Sequence, residues 1–323
     1  MTQPTWNRPT HPWVAEGAER VRFGIAGGVT ADWPASLAWV RLVEELGFDS
    51  IWIADHPVLT AVDPLTALAA LGMATSRVRL GVQVACVYYR HPVLAARIAA
   101  DVQRLSGGRL VLGLGIGDFP EEFAAMGLPY PRVPERQAVL AEYVPIVAGL
   151  LTGESVTFEG QHFQVRDAHL RPGSAPEQPV PILIAGGGER VTLRQVAELA
   201  DATNLGPANL NGDAWTTDDV RRKHAVLRDH CAAIGRPYDS VLRTHRLAVH
   251  LRRDAARSFD RAAGGIPGEQ YLRLTGTPRD AVDLYLELVD AGVRYFTAVV
   301  PGDEETLRLL AEEVVPEVVR RAP

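Results

Sequence analysis

Residues 21–54 read VRFGIAGGVTADWPASLAWVRLVEELGFDSIWIA, and this stretch decides the fold. Two short apolar runs, 21–26 and 50–54, flank a longer amphipathic stretch at 34–46 that ends before Gly47. Short β-branched runs between turn residues are typical of buried strands, and the longer stretch is typical of a helix closed by glycine. The segment therefore predicts a strand–helix–strand unit of a parallel sheet.

The same alternation continues along the chain. Further strands are predicted at 79–85, 110–114, 181–185, 202–205, 243–250 and 295–300. Helices are predicted from Asp63-Pro64 onward and at 92–105, 135–151, 189–199, 218–234 and 278–290, with a small inserted hairpin at 156–158 and 163–165. Eight strands alternating with helices favour a (β/α)8 TIM barrel, a single α/β domain over residues 1–323 with loop insertions, rather than an open doubly wound sheet.

Composition and charge exclude several classes of function. The 323 residues are 47% hydrophobic and 22% charged, which is typical of a soluble globular protein with a large core. A net charge of −6 argues against nucleic acid as a partner, and no apolar run is long enough to cross a membrane. The N-terminus lacks a signal-peptide pattern, and Cys86 and Cys231 have neither disulfide nor metal-ligand spacing. We therefore expect a cytoplasmic protein without a metal site.

The most informative loop follows the predicted strand at 181–185 and reads GGGER. In a barrel of this type, active sites lie at the carboxyl ends of the strands. Three glycines let backbone N–H groups converge on an anion, a following helix adds partial positive charge, and arginine adds a planar fork. The pattern predicts a phosphate-binding turn made by Gly186, Gly187, Gly188, Glu189 and Arg190. The alternative is a flexible turn without a ligand.

Three other strand ends carry candidate site residues. The second strand ends in Asp55-His56, where a carboxylate adjoins an imidazole that can exchange a proton near neutral pH. Asp118 follows the fourth strand. The third strand ends in residues that would let a planar ring lie against the backbone, namely Gln83, Val84, Ala85 and Cys86. The alternatives are a solvated loop at 55–57 and an ordinary buried strand at 83–86. The glycines at 113–117 do not complete a dinucleotide fingerprint and indicate a close-packed strand end.

Together these segments resemble the luciferase-like monooxygenase superfamily over most of the chain. The resemblance rests on LGFDSIWIADH (46–56), YRHP (89–92), LSGGRL (105–110), GLGIG (113–117), ILIAGGGER (182–190), ADATNL (200–205) and GVRYF (292–296). The superfamily contains flavin-dependent monooxygenases and oxidoreductases that use the deazaflavin coenzyme F420. The Asp55-His56 ending and the ADATNL run, which contains Asn204, are most similar to the F420 branch.

The resemblance implies an F420-dependent oxidoreductase that transfers a hydride between the deazaflavin and a small organic substrate. It implies that Asp55 and His56 contact the deazaflavin, and that a non-prolyl cis peptide at 83–84 props the ring. The turn at 186–190 would hold the cofactor phosphate, with Ala85, Cys86 and Asn204 also in the cofactor site. His56 becomes a candidate proton donor or acceptor, and Asp118 a candidate catalytic acid. The family also implies a homodimer and leaves room for a separate cofactor reductase.

Two other functions fit the same residues. An FMN-dependent monooxygenase would use the same barrel and phosphate turn, and a non-catalytic cofactor-binding barrel would keep the fold without the chemistry. Relatives that oxidise sugar phosphates grip the phosphate with lysines, whereas Lys223 is the only lysine of this chain. Thr60 and Glu121 also replace an aromatic residue and an amide of those relatives, so a sugar phosphate is not expected. The stretch at 209–215 is expected to be a surface loop.

Overall fold

The computed structural model describes residues 9–171, 173–208, 214–263, 270–300 and 302–323. Its strands are β1 (Arg22–Ala26), β2 (Ser50–Ile53), β3 (Arg79–Cys86), β4 (Leu110–Gly115), β5 (Val156–Glu159), β6 (Gln164–Ala168), β7 (Ile182–Ala185), β8 (Ala202–Leu205), β9 (Leu242–Leu251), β10 (Ser258–Ala263), β11 (Gln270–Gly276) and β12 (Tyr295–Val299). Most of the predicted loop at 209–215 lies outside the described residues, so that expectation stays a prediction.

Eight of these strands close into a parallel barrel. The order around the ring is β1, β2, β3, β4, β7, β8, β9 and β12, and β12 pairs again with β1. Two neighbouring parallel strands must be joined by a crossover connection, and the intervening helices provide these connections. The predicted (β/α)8 barrel is therefore confirmed. The predicted insertion is confirmed as well, because β5 and β6 form an antiparallel hairpin outside the barrel sheet.

The helices surround this barrel. They are α1 (Pro12–Glu19), α2 (Trp33–Glu45), α3 (Pro64–Ala74), α4 (Pro92–Leu105), α5 (Pro120–Ala125), α6 (Val133–Leu151), α7 (Thr192–Leu199), α8 (Thr217–Ala233), α9 (Pro278–Asp290), α10 (Glu304–Leu309) and α11 (Val315–Arg321). The predicted cap at Asp63 is present, since its carboxylate accepts from the Thr66 amide at 2.8 Å. Thr216 and Thr277 form capping boxes that start α8 and α9. Within the described residues, no helix is both long and apolar enough to span a bilayer.

One helix boundary near the predicted phosphate turn is wrong. The predicted helix at 189–199 begins only at Thr192, because residues 189–191 form a turn. The Leu193 amide donates to the Gly188 carbonyl at 3.0 Å, across residues 189–191. These three residues therefore form the turn that leads into the helix. Helix α1, helix α5, the C-terminal helices α10 and α11, and the β10–β11 hairpin were not predicted. Helix α1 has a glycine and α5 has only six residues, so neither shows an extended periodic pattern.

Two apolar layers fill the molecule. The larger lies between the barrel and its helices, and the smaller fills the inside of the barrel. Helix α1 closes the end where the strands begin, with Trp13 packed 5.3 Å edge-to-face from Tyr295 and 6.3 Å from Trp52, measured between ring centroids. Trp13 has no exposed surface. The barrel is thus plugged at the amino ends of its strands, and the opposite end is left for a site.

Candidate active site

A cavity of about 310 Å3 opens at the carboxyl ends of the barrel strands. Nine of the predicted site residues line it: Asp55, His56, Gln83, Val84, Cys86, Asp118, Gly186, Gly187 and Gly188. Four others are not part of its wall: Ala85, Glu189, Arg190 and Asn204. The fold therefore brings the three candidate strand ends and the glycine turn to one place.

His56 belongs to a buried hydrogen-bonded group. Its Nδ1 lies 3.1 Å from Oε2 of Glu122, whose side chain has no exposed surface. Glu122 also accepts hydrogen bonds from the Tyr89 hydroxyl at 2.7 Å and the Val58 amide at 3.1 Å. Burial and the Glu122 carboxylate raise the pKa of Tyr89, so its hydroxyl remains a donor. With the Glu122 carboxylate as acceptor, His56 Nδ1 donates this hydrogen bond, and Nε2 is the ring nitrogen left for proton exchange.

Glu122 was missed, although the sequence contains a signal for it. Phe119 and Phe123 are four residues apart and both are buried. Positions three and four apart share a helix face, so these two aromatics place Glu122 on the buried face of α5. Its neighbour Glu121 is exposed. An acidic residue on the apolar face of a short helix at a barrel rim is therefore the sign of a buried partner for a nearby polar group.

Asp55 is tied to the protein through both carboxylate oxygens. Arg90 donates to Oδ2 at 2.6 Å and to Oδ1 at 3.2 Å, and the Cys86 amide donates to Oδ2 at 3.2 Å. Burial raises the pKa of Asp55, while Arg90 acts in the opposite direction. Burial alone would lower the pKa of Arg90, but Asp55 and Asp63 raise it above its ordinary value. Asp55 therefore joins the end of β2 to the end of β3, which places His56 in the cavity.

The end of β3 packs closely against β4, where the pairing register shifts between Val82 and Ala85. The bond between Gln83 and Val84 is a non-prolyl cis peptide, as the family resemblance implied. A Cβ on Gly113 would lie 2.2 Å from the Val82 carbonyl oxygen, and one on Gly115 would lie 2.5 Å from a Val84 methyl group. Only glycine fits there, so the close-packed interpretation of residues 113–117 is confirmed. Gln83 Nε2 is buried without a partner and adds an unused donor to the cavity wall.

Cys86 is a buried thiol in the cavity wall. Burial raises the pKa of Cys86 to about 12, so the thiol remains protonated and contributes surface to the cavity wall. Asp118 lines the cavity and is partly exposed beside Phe119. In the described parts of the chain, no cluster of three His, Cys, Asp or Glu side chains could hold a metal ion. Besides Asp55, whose carboxylate is bound by Arg90, the cavity wall carries the His56 imidazole, the Asp118 carboxylate and the Tyr89 hydroxyl.

The glycine turn has the form of an anion site. Gly186 has φ +116°, a conformation that L side chains rarely adopt, and its amide bonds the Asn204 carbonyl at 3.2 Å. Gly187 and Gly188 line the cavity, and neither backbone N–H has a hydrogen-bond acceptor among the described residues. Asn204 thus acts on the turn through its backbone, while its buried side chain accepts from the Thr244 hydroxyl at 2.9 Å inside the barrel.

The charged residues of the turn do not face the cavity. The Glu189 side chain pairs with Arg222, and the Glu189 carbonyl lies 2.8 Å from His230 Nε2. Arg190 is exposed to solvent. Behind the turn, Lys223 Nζ donates to the Gly187 carbonyl at 2.8 Å and lies 3.9 Å from Glu189 Oε1. The Arg190 guanidinium, which was predicted to bind the phosphate, is therefore not part of the cavity wall.

Two buried polar residues of α6 were also missed. Arg136 is 5% exposed and Gln137 is 7% exposed, and both line the cavity. Arg136 donates to the Gly117 carbonyl, and its guanidinium lies 4.2 Å from the centroid of the Tyr130 ring. Gln137 Nε2 donates to the Thr192 hydroxyl at 3.0 Å at the start of α7. Arg136 Nε and Gln137 Oε1 are buried without a hydrogen-bond partner among the described residues.

Known proteins match this chain over nearly its full length. The sequence model of the luciferase-like monooxygenase family matches residues 9–313. F420-dependent glucose-6-phosphate dehydrogenase of Microbacterium testaceum is 31% identical over 316 residues, covering 87% of this chain and 92% of that protein. 5,10-Methylenetetrahydromethanopterin reductase of Archaeoglobus fulgidus is 27% identical over 327 residues, covering 87% and 94%.

Solved structures share the fold. The coenzyme F420 dependent tetrahydromethanopterin reductase from Methanopyrus kandleri has a TM-score of 0.76 at 22% identity, covering 93% of this chain and 99% of that one. An F420-dependent secondary alcohol dehydrogenase, solved with an F420–acetone adduct, has a TM-score of 0.78 at 18% identity with the same coverage. At these identities the likeness concerns the barrel, whose strand ends carry the cavity described above.

Proposed function

This chain belongs to the luciferase-like monooxygenase family, and on that premise we propose that it is an F420-dependent oxidoreductase acting on a small organic substrate. One observation carries the proposal: a single cavity joins a glycine turn with unused N–H donors to the His56–Glu122 pair. Bound deazaflavin would supply a carrier for a two-electron hydride transfer, and the protein would supply orientation and proton handling.

The residues of the cavity fit such a cofactor. The unused amides of Gly187 and Gly188 suit a phosphate, with Gln137 Oε1 and the Thr192 hydroxyl beside them to bond the neighbouring hydroxyl groups. Helix α7 adds a favourable dipole at its start, Thr192. Gln83 and Val84 lie in the cavity wall, where a planar ring would rest against their backbone, and Gln83 Nε2 would serve as a donor at the edge of the ring.

His56 is proposed as the group that exchanges a proton with the substrate. Glu122 orients its ring through Nδ1, and Phe119 packs edge-to-face on it at 5.0 Å between centroids. These contacts hold the imidazole in one position and leave Nε2 available. Asp118, on the same wall, is a second candidate acid.

The substrate is proposed to be something other than a sugar phosphate. Lys223, the only lysine of the chain, is 6% exposed and engaged with the Gly187 carbonyl behind the turn, so it is not available to grip a substrate phosphate. Incubating the protein with oxidised F420 and glucose 6-phosphate should therefore leave the F420 absorbance unchanged. A secondary alcohol series in the same assay would show whether the enzyme accepts smaller substrates.

An anaerobic titration with F420 and with FMN tests the cofactor. We expect F420 fluorescence to change on saturable binding and FMN to bind more weakly. A tight complex with FMN and none with F420 would overturn the proposal. Oxygen uptake with reduced FMN would then assign the chain to the flavin monooxygenases of the family. The His56→Ala variant should keep F420 binding and lose turnover. If the variant binds either cofactor and its turnover is unchanged, the proposed role of His56 is wrong.

A further inference from the structure

The only lysine of the chain lies buried behind the glycine turn. Lys223 is on α8, its side chain is 8% exposed, and it is not part of the cavity wall. Its Nζ donates to the Gly187 carbonyl at 2.8 Å. Burying an ammonium group is costly unless it is paired and hydrogen-bonded, so this placement calls for a reason beyond surface charge.

The hydrogen bond of Lys223 sets the direction of one peptide group. In a planar trans peptide, the carbonyl and the following N–H point in opposite directions. Because the Gly187 carbonyl is turned toward Lys223, the Gly188 N–H is turned away from it. Gly188 lines the cavity, and its N–H has no acceptor in the described residues. If the peptide were flipped, the carbonyl would replace the N–H there, and an anion would be repelled.

The neighbouring charges hold Lys223 in place without cancelling its hydrogen bond. Glu189 lies 3.9 Å from Nζ and also pairs with Arg222, which in turn bonds Asp219 at 3.0 Å. Among the described residues, these two basic and two acidic side chains carry no net charge. The effect expected of Lys223 on an anion is therefore mainly orientation of the turn rather than long-range attraction.

We infer that Lys223 is a positioning residue that holds the Gly187 carbonyl away from the cavity and so presents the Gly188 N–H to the phosphate of the cofactor. This inference rests on the proposed function. It accounts for the turn working without Arg190, which is exposed and outside the cavity wall. It also explains how a turn of three flexible glycines keeps one orientation.

The test compares two ligands that differ only in the anionic part. One is F420, and the other is the same deazaflavin with its ribityl chain but without the phosphate and tail. For Lys223→Met, we expect the dissociation constant of F420 to rise about tenfold or more, and that of the phosphate-free ligand to change by about twofold or less. Equal losses for both ligands, or no loss for F420, would overturn the inference.

Three further variants support this test. Lys223→Gln keeps a donor within the side chain and should lose less F420 affinity than Lys223→Met, and it serves if the Met variant does not fold. Arg221→Met is the matched control on the same helix, because Arg221 is exposed and pairs only with Asp218 among the described residues. Arg222→Met removes one holder of Glu189 and should have an intermediate effect.

Failure of the inference is distinct from failure of the proposed function. If the wild-type protein binds FMN and not F420, the proposed function is wrong, and FMN with riboflavin becomes the ligand pair for the same comparison. If the wild-type protein binds F420 and Lys223→Met keeps the ratio between the two deazaflavins, only the inference is wrong. If it binds none of the four ligands, both are wrong.

Discussion

The two ends of the barrel are built on different principles. At the amino ends of the strands, aromatic rings fill the barrel, and Tyr295 donates to Asp49 at 2.6 Å while sharing a 2.6 Å hydrogen bond with Ser50. At the carboxyl ends, the barrel opens into a cavity. Several hydrogen-bonding atoms of the residues in its wall have no partner among the described residues. One end is closed by packing, and the other is held open.

Charged side chains serve different purposes at the two ends. At the closed end they pair with one another: Arg22 binds both Glu16 and Asp49, and Arg79 binds the same Glu16 at 2.7 Å. At the open end, Asp55 also pairs with Arg90, but two other charged side chains orient single groups: Glu122 binds the His56 ring, and Lys223 binds the Gly187 carbonyl. A charged side chain that orients a neighbouring group leaves another polar atom of that group without a hydrogen bond. A ligand can then bind this atom.

The largest effect is expected for Trp13→Ala at the closed end. Trp13 is fully buried against Tyr295 and Trp52, so its removal should leave a cavity and lower the free energy of unfolding by about 3–5 kcal/mol. Urea denaturation measures this loss. Because the open end is untouched, the folded protein should bind F420 with an affinity within about twofold of wild type. A strong loss of affinity at unchanged stability would show that the two ends are not independent.

The next effect is expected for Glu122→Gln at the open end. The amide keeps the shape of the side chain but loses the carboxylate that makes His56 Nδ1 the donor, so turnover should fall about 100-fold with F420 binding nearly unchanged. Turnover is measured with a substrate that supports the wild-type enzyme. Glu121→Gln is the control, since Glu121 is the exposed neighbour.

A double variant separates positioning from a general loss of structure. If Glu122 acts through His56, combining Glu122→Gln with His56→Asn should cost no more turnover than His56→Asn alone. Fully additive losses would contradict this dependence. Thermal unfolding of each variant shows whether the fold is kept.

The smallest effect is expected for His245, which lies in the barrel wall between the two ends. His245 on β9 is buried beside Phe296, and burial lowers its pKa from 6.5 to about 3. Below pH 6.5, His245 binds a proton in the unfolded chain but stays unprotonated in the folded chain. Protonation therefore favours the unfolded state, and His245 should reduce the free energy of unfolding as the pH falls from 6.5 toward 3. Its share of the slope is at most about 1.4 kcal/mol per pH unit. In His245→Leu, urea unfolding at pH 7, 6 and 5 should show a shallower slope, and an unchanged slope would refute the assignment.

Much of the fold could be predicted because it depends on local patterns. The alternation of apolar runs and amphipathic stretches predicted every barrel strand, and α4 and α9 match their predicted bounds. The C-terminal helices α10 and α11 were missed although their stretch is amphipathic, whereas the other missed elements have weak local patterns. Helix α5 is short, and β10 and β11 contain several polar residues in a hairpin whose pairing depends on β9. Their stability comes from contacts with distant parts of the chain, which periodicity does not report.

By itself, the sequence determined the barrel, the glycine turn and the strand ends that carry His56 and Asp118, because strand order and glycine conformation follow from neighbouring residues. Only the tertiary structure decided which side chains complete the site. Glu122 reaches His56 across 66 positions and Lys223 reaches Gly187 across 36, while Arg190, beside the turn, is exposed outside the cavity wall. Such contacts depend on how helices pack around the barrel. The direction of one carbonyl or one imidazole is therefore set by residues far away in the chain.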